Sequence, residues 1–303
     1  MQEQFARFRF DFLKYRFGFL FFSVAVVVVG LLYYMFVGGF KYHIDFTGGA
    51  EMRISFAQPV DIAVLRQSLT IDGWKDAIIQ SVGKTGQEFL IRVGSLESSL
   101  ETDIKKSFAK NFVGNEATVG HIDWIGAEVG KDTKWNAIKA VLLSMIILAL
   151  YIAVRSEFKY GIGAVLSLIH DILVIMVYIL LTGEPISLHI LASILAVIGY
   201  SLNDTIVIFS KIRENYRKFA GTSISDYDLV NLSINQTLTR TTLTSFATLL
   251  SVASILFLGG DTLRGLATIM FVGIIVGTVS SIYIASPSML WASARAKKAI
   301  LAS

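Results

Sequence analysis

Residues 188–210 read Leu-His-Ile-Leu-Ala-Ser-Ile-Leu-Ala-Val-Ile-Gly-Tyr-Ser-Leu-Asn-Asp-Thr-Ile-Val-Ile-Phe-Ser, with one formal charge, Asp204, and one histidine, His189, near the start. As a helix rising about 1.5 Å per residue, the run is long enough to cross a hydrocarbon core of about 30 Å. A carboxylate inside such a stretch costs at least about 2.5–3.5 kcal/mol on insertion scales and is by default a functional hypothesis. One segment therefore raises both the fold and the chemistry.

The rest of the chain repeats the pattern. Gly18 to Val37 contains no charged residue, and further apolar runs occupy about 137–154, 161–181, 241–259 and 266–290. With 188–210 these predict six spans, an integral membrane α-helical bundle. Composition agrees: of 303 residues 54% are hydrophobic and 17% charged, against about a quarter charged in soluble domains. Disorder is excluded by the hydrophobicity. The lack of cysteine excludes a disulfide scaffold and any Cys-ligated zinc or iron–sulfur centre.

The basic residues sort by side. Arg7, Arg9, Lys14 and Arg16 precede the first span, Arg155 and Lys159 join the second to the third, and Lys211, Arg213, Arg217, Lys218 and Arg240 lie between the fourth and fifth. Arg295, Lys297 and Lys298 follow the sixth, whereas Thr182–Ser187 and Gly259–Arg264 together hold a single basic residue. Positive-inside bias predicts both termini in the cytoplasm, so the sequence pI near 9.1 is mainly a topology signal and not a sign of nucleic acid. The first run is too long and too aromatic at Tyr33–Phe40 for a cleaved signal peptide and reads as an uncleaved anchor.

The predicted organisation is 1–37, cytoplasmic N-terminus and first span; 38–135, an extracytoplasmic domain; 136–292, spans two to six; and 293–303, a cytoplasmic tail. In 38–135, Ala50–Phe56 alternates as a strand, Pro59–Asp61 opens a helix through Leu69, and Ala77–Val82 and Gln87–Val93 flank the turn Gly83-Lys84-Thr85-Gly86. Leu96–Phe112 has helical spacing and Ala117–Ile125 is a strand. The order β-α-β-β-α-β predicts a small α+β, ferredoxin-like domain.

Three places within the spans carry chemistry. Asp204, with Asn203 beside it as a further relay candidate, lies about 10 Å inside the Lys211 end of its helix, so it reads as a carboxylate that binds and releases a cation, or as one buried among hydroxyl and amide partners. Arg240 either snorkels to headgroups or reaches up toward the depth of Asp204, where pairing would depress the carboxylate pKa and separation would raise it. His170-Asp171 lies near the midplane of the third span. Side chains of adjacent helical residues diverge by about 100° and cannot face one partner, so the two read as a relay or as a polar lock against Ser or Thr on neighbouring helices. His189 reads as an interfacial side chain. Gly273 to Gly277 is a small-xxx-small pattern for close helix packing, Gly199 and Asn203 share a face that admits another helix, and Ile212-Arg213-Glu214-Asn215 reads as a charged turn. No P-loop spacing is present, so ATP hydrolysis is not expected.

Several ordered motifs carry a resemblance: His43-Ile44-Asp45-Phe46-Thr47-Gly48-Gly49, Gly199-Tyr200-Ser201-Leu202-Asn203-Asp204-Thr205-Ile206-Val207, Ile212-Arg213-Glu214-Asn215 and Ser233-Ile234-Asn235-Gln236-Thr237-Leu238-Thr239-Arg240-Thr241. Together they cover nearly the whole chain and resemble the SecD/SecF family of the resistance–nodulation–division superfamily. The resemblance implies a bacterial inner-membrane subunit that pairs with SecD and assists the SecYEG channel. There it would pull preproteins across after the SecA ATPase has acted, using a proton or sodium gradient. It places the family's essential intramembrane carboxylate and arginine on Asp204 and Arg240. Asp45, Phe46, Gly48 and Gly49 read as the link between the first span and the domain, or as a simple glycine turn. No catalytic residue, metal site or cofactor other than the coupling ion is expected. Two rivals remain, a small-molecule exporter of the same superfamily and a scaffold without ion coupling.

Overall fold

In the computed structural model the described residues are 10–74, 77–83, 85–94, 100–155 and 158–302. Arg7, Arg9 and Lys84, together with the start of the Leu96–Phe112 reading, lie outside them.

Helix α1 (Arg16–Val37) ends where Gly38 adopts φ 85° and its N–H bonds the Tyr34 carbonyl. A short helix α2 (Ile44–Thr47) leads into strand β1 (Gly49–Phe56), then α3 (Ile62–Ile71), β2 (Ile78–Val82), β3 (Glu88–Val93), α4 (Leu100–Asn111) and β4 (Ala117–Ile125). All pairings are antiparallel in the order β2-β3-β1-β4. Period-two alternation sends Ala50, Met52, Ile54 and Phe56 to one buried face, where Leu65 and Leu69 of α3 and Ile104 and Phe108 of α4 cover them. Glu51 and Arg53 point to the opposite face. Asp61 caps α3 by accepting the Ala63 N–H at 2.6 Å, as its place before the apolar run implies.

Five further long helices follow: α5 (Ala127–Arg155), α6 (Phe158–Thr182), α7 (Leu188–Lys218), α8 (Asp226–Leu258) and α9 (Gly260–Ser280), the last continued by a π segment (Ser281–Ala285) into α10 (Ser286–Ala302). The π segment precedes Pro287, whose missing N–H removes one ladder bond, and Ser286 Oγ donates to the Ser281 carbonyl at 3.0 Å across the bulge. Six stretches among the described residues are long and apolar enough to cross a membrane, α9 and α10 counting as one. Phe17, Phe21 and Phe22 on α1 and Leu142, Leu143 and Leu150 on α5 are exposed, as a lipid-facing surface requires. Ile175, Ile194, Val197, Ile198 and Ile269 fill the core between α6, α7 and α9.

Some readings shift in extent. Helices α5 and α8 begin at Ala127 and Asp226, well before the apolar runs at 137 and 241. Ile212-Arg213-Glu214-Asn215 is not a turn, because α7 continues to Lys218 with Ile212 and Asn215 buried. Asn215 Nδ2 donates to Ser233 Oγ (2.7 Å) and Gln236 Oε1 (2.9 Å) on α8, and this inward amide holds the last turns helical.

The sheet domain meets the bundle at one seam. Tyr42 bridges Ile186 in parallel, His43 N–H bonds the Ile186 carbonyl (2.8 Å), and Ile186 N–H bonds the Lys41 carbonyl (2.9 Å). Gly48, at φ +73°, crosses α5 so closely that a Cβ there would sit 2.5 Å from the Ala127 Cα. The glycine pair is therefore both a turn and a close approach.

Candidate functional site

Asp204 sits on the inward face of α7, 4% exposed. Its Oδ2 accepts hydrogen bonds from Ser245 Oγ on α8 and Thr278 Oγ1 on α9, each at 3.2 Å, and those hydroxyls lie 2.7 Å from each other. Thr278 Oγ1 is also 2.8 Å from the Ile274 carbonyl. These four contacts share only two hydroxyl protons, since each hydroxyl carries one. A proton on Asp204 would supply a third donor. Among the described residues no cation pairs with this carboxylate. Thr241 Oγ1, buried one turn before Ser245 on the same helix face, has no hydrogen-bond partner among the described residues.

Close packing makes the junction possible. A Cβ on Gly277 would lie 2.8 Å from Ser201 Cβ, and one on Gly273 would overlap the Val197 side chain. The small-xxx-small pattern thus sets α9 against α7, which presents Thr278 to Asp204.

The second pair of predicted residues forms a chain of contacts. Ser201 Oγ donates to Asp171 Oδ2, His170 Nδ1 is 3.0 Å from Asp171 Oδ1, and His170 Nε2 is 3.0 Å from Ser23 Oγ on α1. The divergence of adjacent side chains holds for the outside partners: Asp171 turns to α7 and His170 to α1. Ser167 Oγ donates to Ser280 Oγ (2.9 Å) one turn away.

Arg240 and Asn203 are exposed and do not join either cluster. Arg240 precedes Thr241, and the 100° step between them carries its side chain off the face that meets Asp204. His189 is exposed at the start of α7, and Phe46 is buried at the seam.

Asp45 belongs to a third group that residue spacing alone does not disclose. Asp45 Oδ2 accepts the Leu188 N–H at 2.9 Å, in the first turn of α7. His43 lies between carboxylates, with Nδ1 3.0 Å from Asp45 Oδ1 and Nε2 2.9 Å from Glu51 Oε2, and Arg92 Nε pairs with Glu51. Burial by itself lowers the His43 pKa, but the hydrogen bonds to Asp45 and Glu51 outweigh it and raise the net value. Burial likewise pushes the two carboxylates up, and it is overcome by His43 and Leu188 N–H at Asp45 and by His43 and Arg92 at Glu51, so both end below their usual range. These residues line a cleft of about 720 Å³ between the polar sheet face and the mouth of the bundle. No group of three or more His, Asp or Glu among the described residues is arranged to hold a metal ion.

Residues 104–295 match the family described as Protein export membrane protein SecD/SecF, C-terminal. The chain belongs to the SecD/SecF family. Among its SecD/SecF relatives, the protein translocase subunit SecF of Pseudomonas aeruginosa is 37% identical over 256 residues, covering 84% of this chain and 83% of the relative. SecF of Calditerrivibrio nitroreducens is 37% identical over 272 residues, 88% of this chain and 89% of the relative. The crystal structure of SecDF, a translocon-associated membrane protein from Thermus thermophilus, superposes with a TM-score of 0.85 at 34% identity. That match covers 95% of this chain but 39% of the SecDF chain, which is much the longer. The SecD/SecF match thus runs from α4 into α10 and includes Asp171, Asp204 and Arg240. The chain is a multi-pass membrane protein of the Sec translocation pathway.

Proposed function

We propose that this chain is the SecF-type subunit of an ion-driven export machine in the bacterial inner membrane, with both termini cytoplasmic. It works beside a SecD-type chain and the SecYEG channel, after SecA, on preproteins emerging on the far side. The fusion of SecD and SecF in the Thermus relative supports the SecD-type partner. The strand order β2-β3-β1-β4 supports a ferredoxin-like extracytoplasmic domain, rigid enough to bear against a polypeptide.

One observation carries the coupling: a buried carboxylate, Asp204, held at a three-helix junction by two hydroxyls whose two protons are divided among four contacts. A proton on Asp204 adds a donor to that shell, or a sodium ion draws on its oxygens, and the Thr241 hydroxyl, which has no partner among the described residues, extends it toward the Lys211 end of the bundle. In this reading an emptied Asp204 draws Arg240, exposed on α8, inward and an occupied one releases it, so that α7 and α8 shift against each other. Asp171 and His170 brace α6 to α7 and α1 during that shift. A transmembrane potential supplies about 2.3 kcal/mol per charge per 100 mV, so a few ions suffice to bias the motion.

The test is Asp204→Asn, an isosteric neutral side chain. Export in vesicles with an imposed proton or sodium gradient should be lost while the complex stays assembled. Undiminished gradient-dependent export would overturn the reading.

A further inference from the structure

We propose that His43 is a proton-responsive positioning residue on the outer side of the bundle, whose protonation state sets whether Asp45 holds the first turn of α7. The inference stands apart from ion coupling at Asp204, and its readouts require no export.

Nδ1 of the ring has two contacts that its protonation state makes mutually exclusive. His43 Nδ1 lies 3.0 Å from Asp45 Oδ1 and also 3.3 Å from the Asp45 backbone N–H. A nitrogen that carries hydrogen donates to the carboxylate, and one that carries a lone pair accepts from the N–H. It cannot do both. The Nε2 side faces Glu51 at 2.9 Å, so an imidazolium donates from both nitrogens, one to α2 and one to β1. On losing a proton, the ring keeps Nε2–H toward Glu51, whose second partner is Arg92, and turns a lone pair toward Asp45. That lone pair gains the Asp45 N–H and repels the Asp45 carboxylate. The same carboxylate accepts the Leu188 N–H at 2.9 Å, so the repulsion is felt at the N-terminus of the helix that carries Asp204.

The surroundings favour the imidazolium. Asp45 and Glu51 face the ring from α2 and β1, Arg92 opposes them from β3, and His189 of α7 acts on Asp45. Arg53, His121, Asp123 and Glu184 line the same cleft. Lys134 of α5 sits over the neighbouring Tyr42 ring, 3.8 Å from its centre. The His43, Asp45 and Glu51 side chains are 14–18% exposed, open enough to exchange protons with the outer solution. A raised histidine pKa keeps the clasp whole below the free imidazole value and loosens it as the pH rises through the higher folded value.

The chain has four histidines, so ¹⁵N-histidine labelling of the full-length protein in lipid nanodiscs yields few imidazole signals. Titration from about pH 5 to about pH 9 should show both His43 nitrogens protonated at the acid end, and Nδ1 losing its proton above the free imidazole value of about 6.5. Amide exchange at Leu188, corrected for its intrinsic pH dependence, should lose about tenfold in protection over the same step. His43→Gln should remove that pH response, and Asp45→Asn should leave His43 titrating lower. A His43 titration at or below the free imidazole value, or Leu188 protection that ignores it, would overturn the proposal.

Discussion

Ser201 on α7 donates its hydroxyl hydrogen to the Asp171 carboxylate on α6, one helical turn before Asp204 on the same helix. Both buried carboxylates are therefore tied to α7, Asp171 from α6 and Asp204 through α8 and α9. A displacement of α7 is felt at once by α6, and by α1 through the His170–Ser23 contact. Two polar clusters thus brace the same central helix, one on the α6 side and one on the α8–α9 side.

The Asp204 shell should behave as a unit. Ser245→Ala and Thr278→Val each remove a donor to the same oxygen, and each should cost about 0.6 kcal/mol, up to about 1.7, as membrane hydrogen bonds do. Because the two hydroxyls also contact each other, the double variant should cost less than the sum. Unfolding titrations in mixed micelles measure the cycle, and strict additivity would mean that the hydroxyls act separately.

The second brace should grade by burial. Ser23→Ala loses one partly buried contact and should cost about 0.6 kcal/mol. Asp171→Leu leaves the Ser201 hydroxyl and His170 Nδ1 without their partner and should cost about 1–3 kcal/mol. Thermal unfolding of the purified chain should rank them in that order, and equal losses would contradict the brace.

Glycines on two helices should respond oppositely. A Cβ at Gly163 would meet the Ala285 carbonyl oxygen at 2.6 Å beside the π segment, so Gly163→Ala should destabilise by about 1–3 kcal/mol. Nothing lies within 4 Å of a Cβ at Gly199, so Gly199→Ala should be neutral or gain up to about 1 kcal/mol of helix propensity in the isolated chain. Gly199→Leu should fold equally well yet weaken co-purification with a SecD-type partner, and unchanged co-purification would show that the partner does not pack on that open face.

Acid should act through the seam. Asp45 and Glu51 have folded pKa values below their ordinary ones, so their stabilisation is present above the ordinary carboxylate range and disappears as pH falls through the lowered values. Arg92→Met removes one of the partners that hold Glu51 down and should move the acid transition of the sheet domain to higher pH. Near-ultraviolet circular dichroism, with Trp124 lining the cleft, follows it. An unchanged transition would show that the Arg92–Glu51 pair contributes nothing at that pH.

Legibility followed range. The strands at 50–56 and 117–125 and the helix opened by Asp61 could be read directly, because alternation and capping involve neighbours in sequence. Asp204 stood out because one charge in an apolar run is visible without knowing its surroundings. Its partners did not, since Ser245 and Thr278 lie 41 and 74 residues away among many similar hydroxyls. Asn215 misled for the same reason: a polar residue near a span end looks like a loop until its buried partners on α8 are known. Arg240 shows the limit of arguing from depth. Its height along α8 was accessible, but its azimuth follows from the buried line of Thr237, Thr241, Ser245 and Val252.

What the amino-acid order determined alone was the number of long apolar helices, the small domain between the first and second, and the intramembrane carboxylates. Hydrophobic length, alternation and charge count are local properties that lipid and water read segment by segment. Only the tertiary structure decided the partners: α9 against α7 through Gly273 and Gly277, hydroxyls around Asp204, and His43 between Asp45 and Glu51. Those contacts depend on helix rotation and register, which are set by how small and large side chains interlock between helices far apart in the chain.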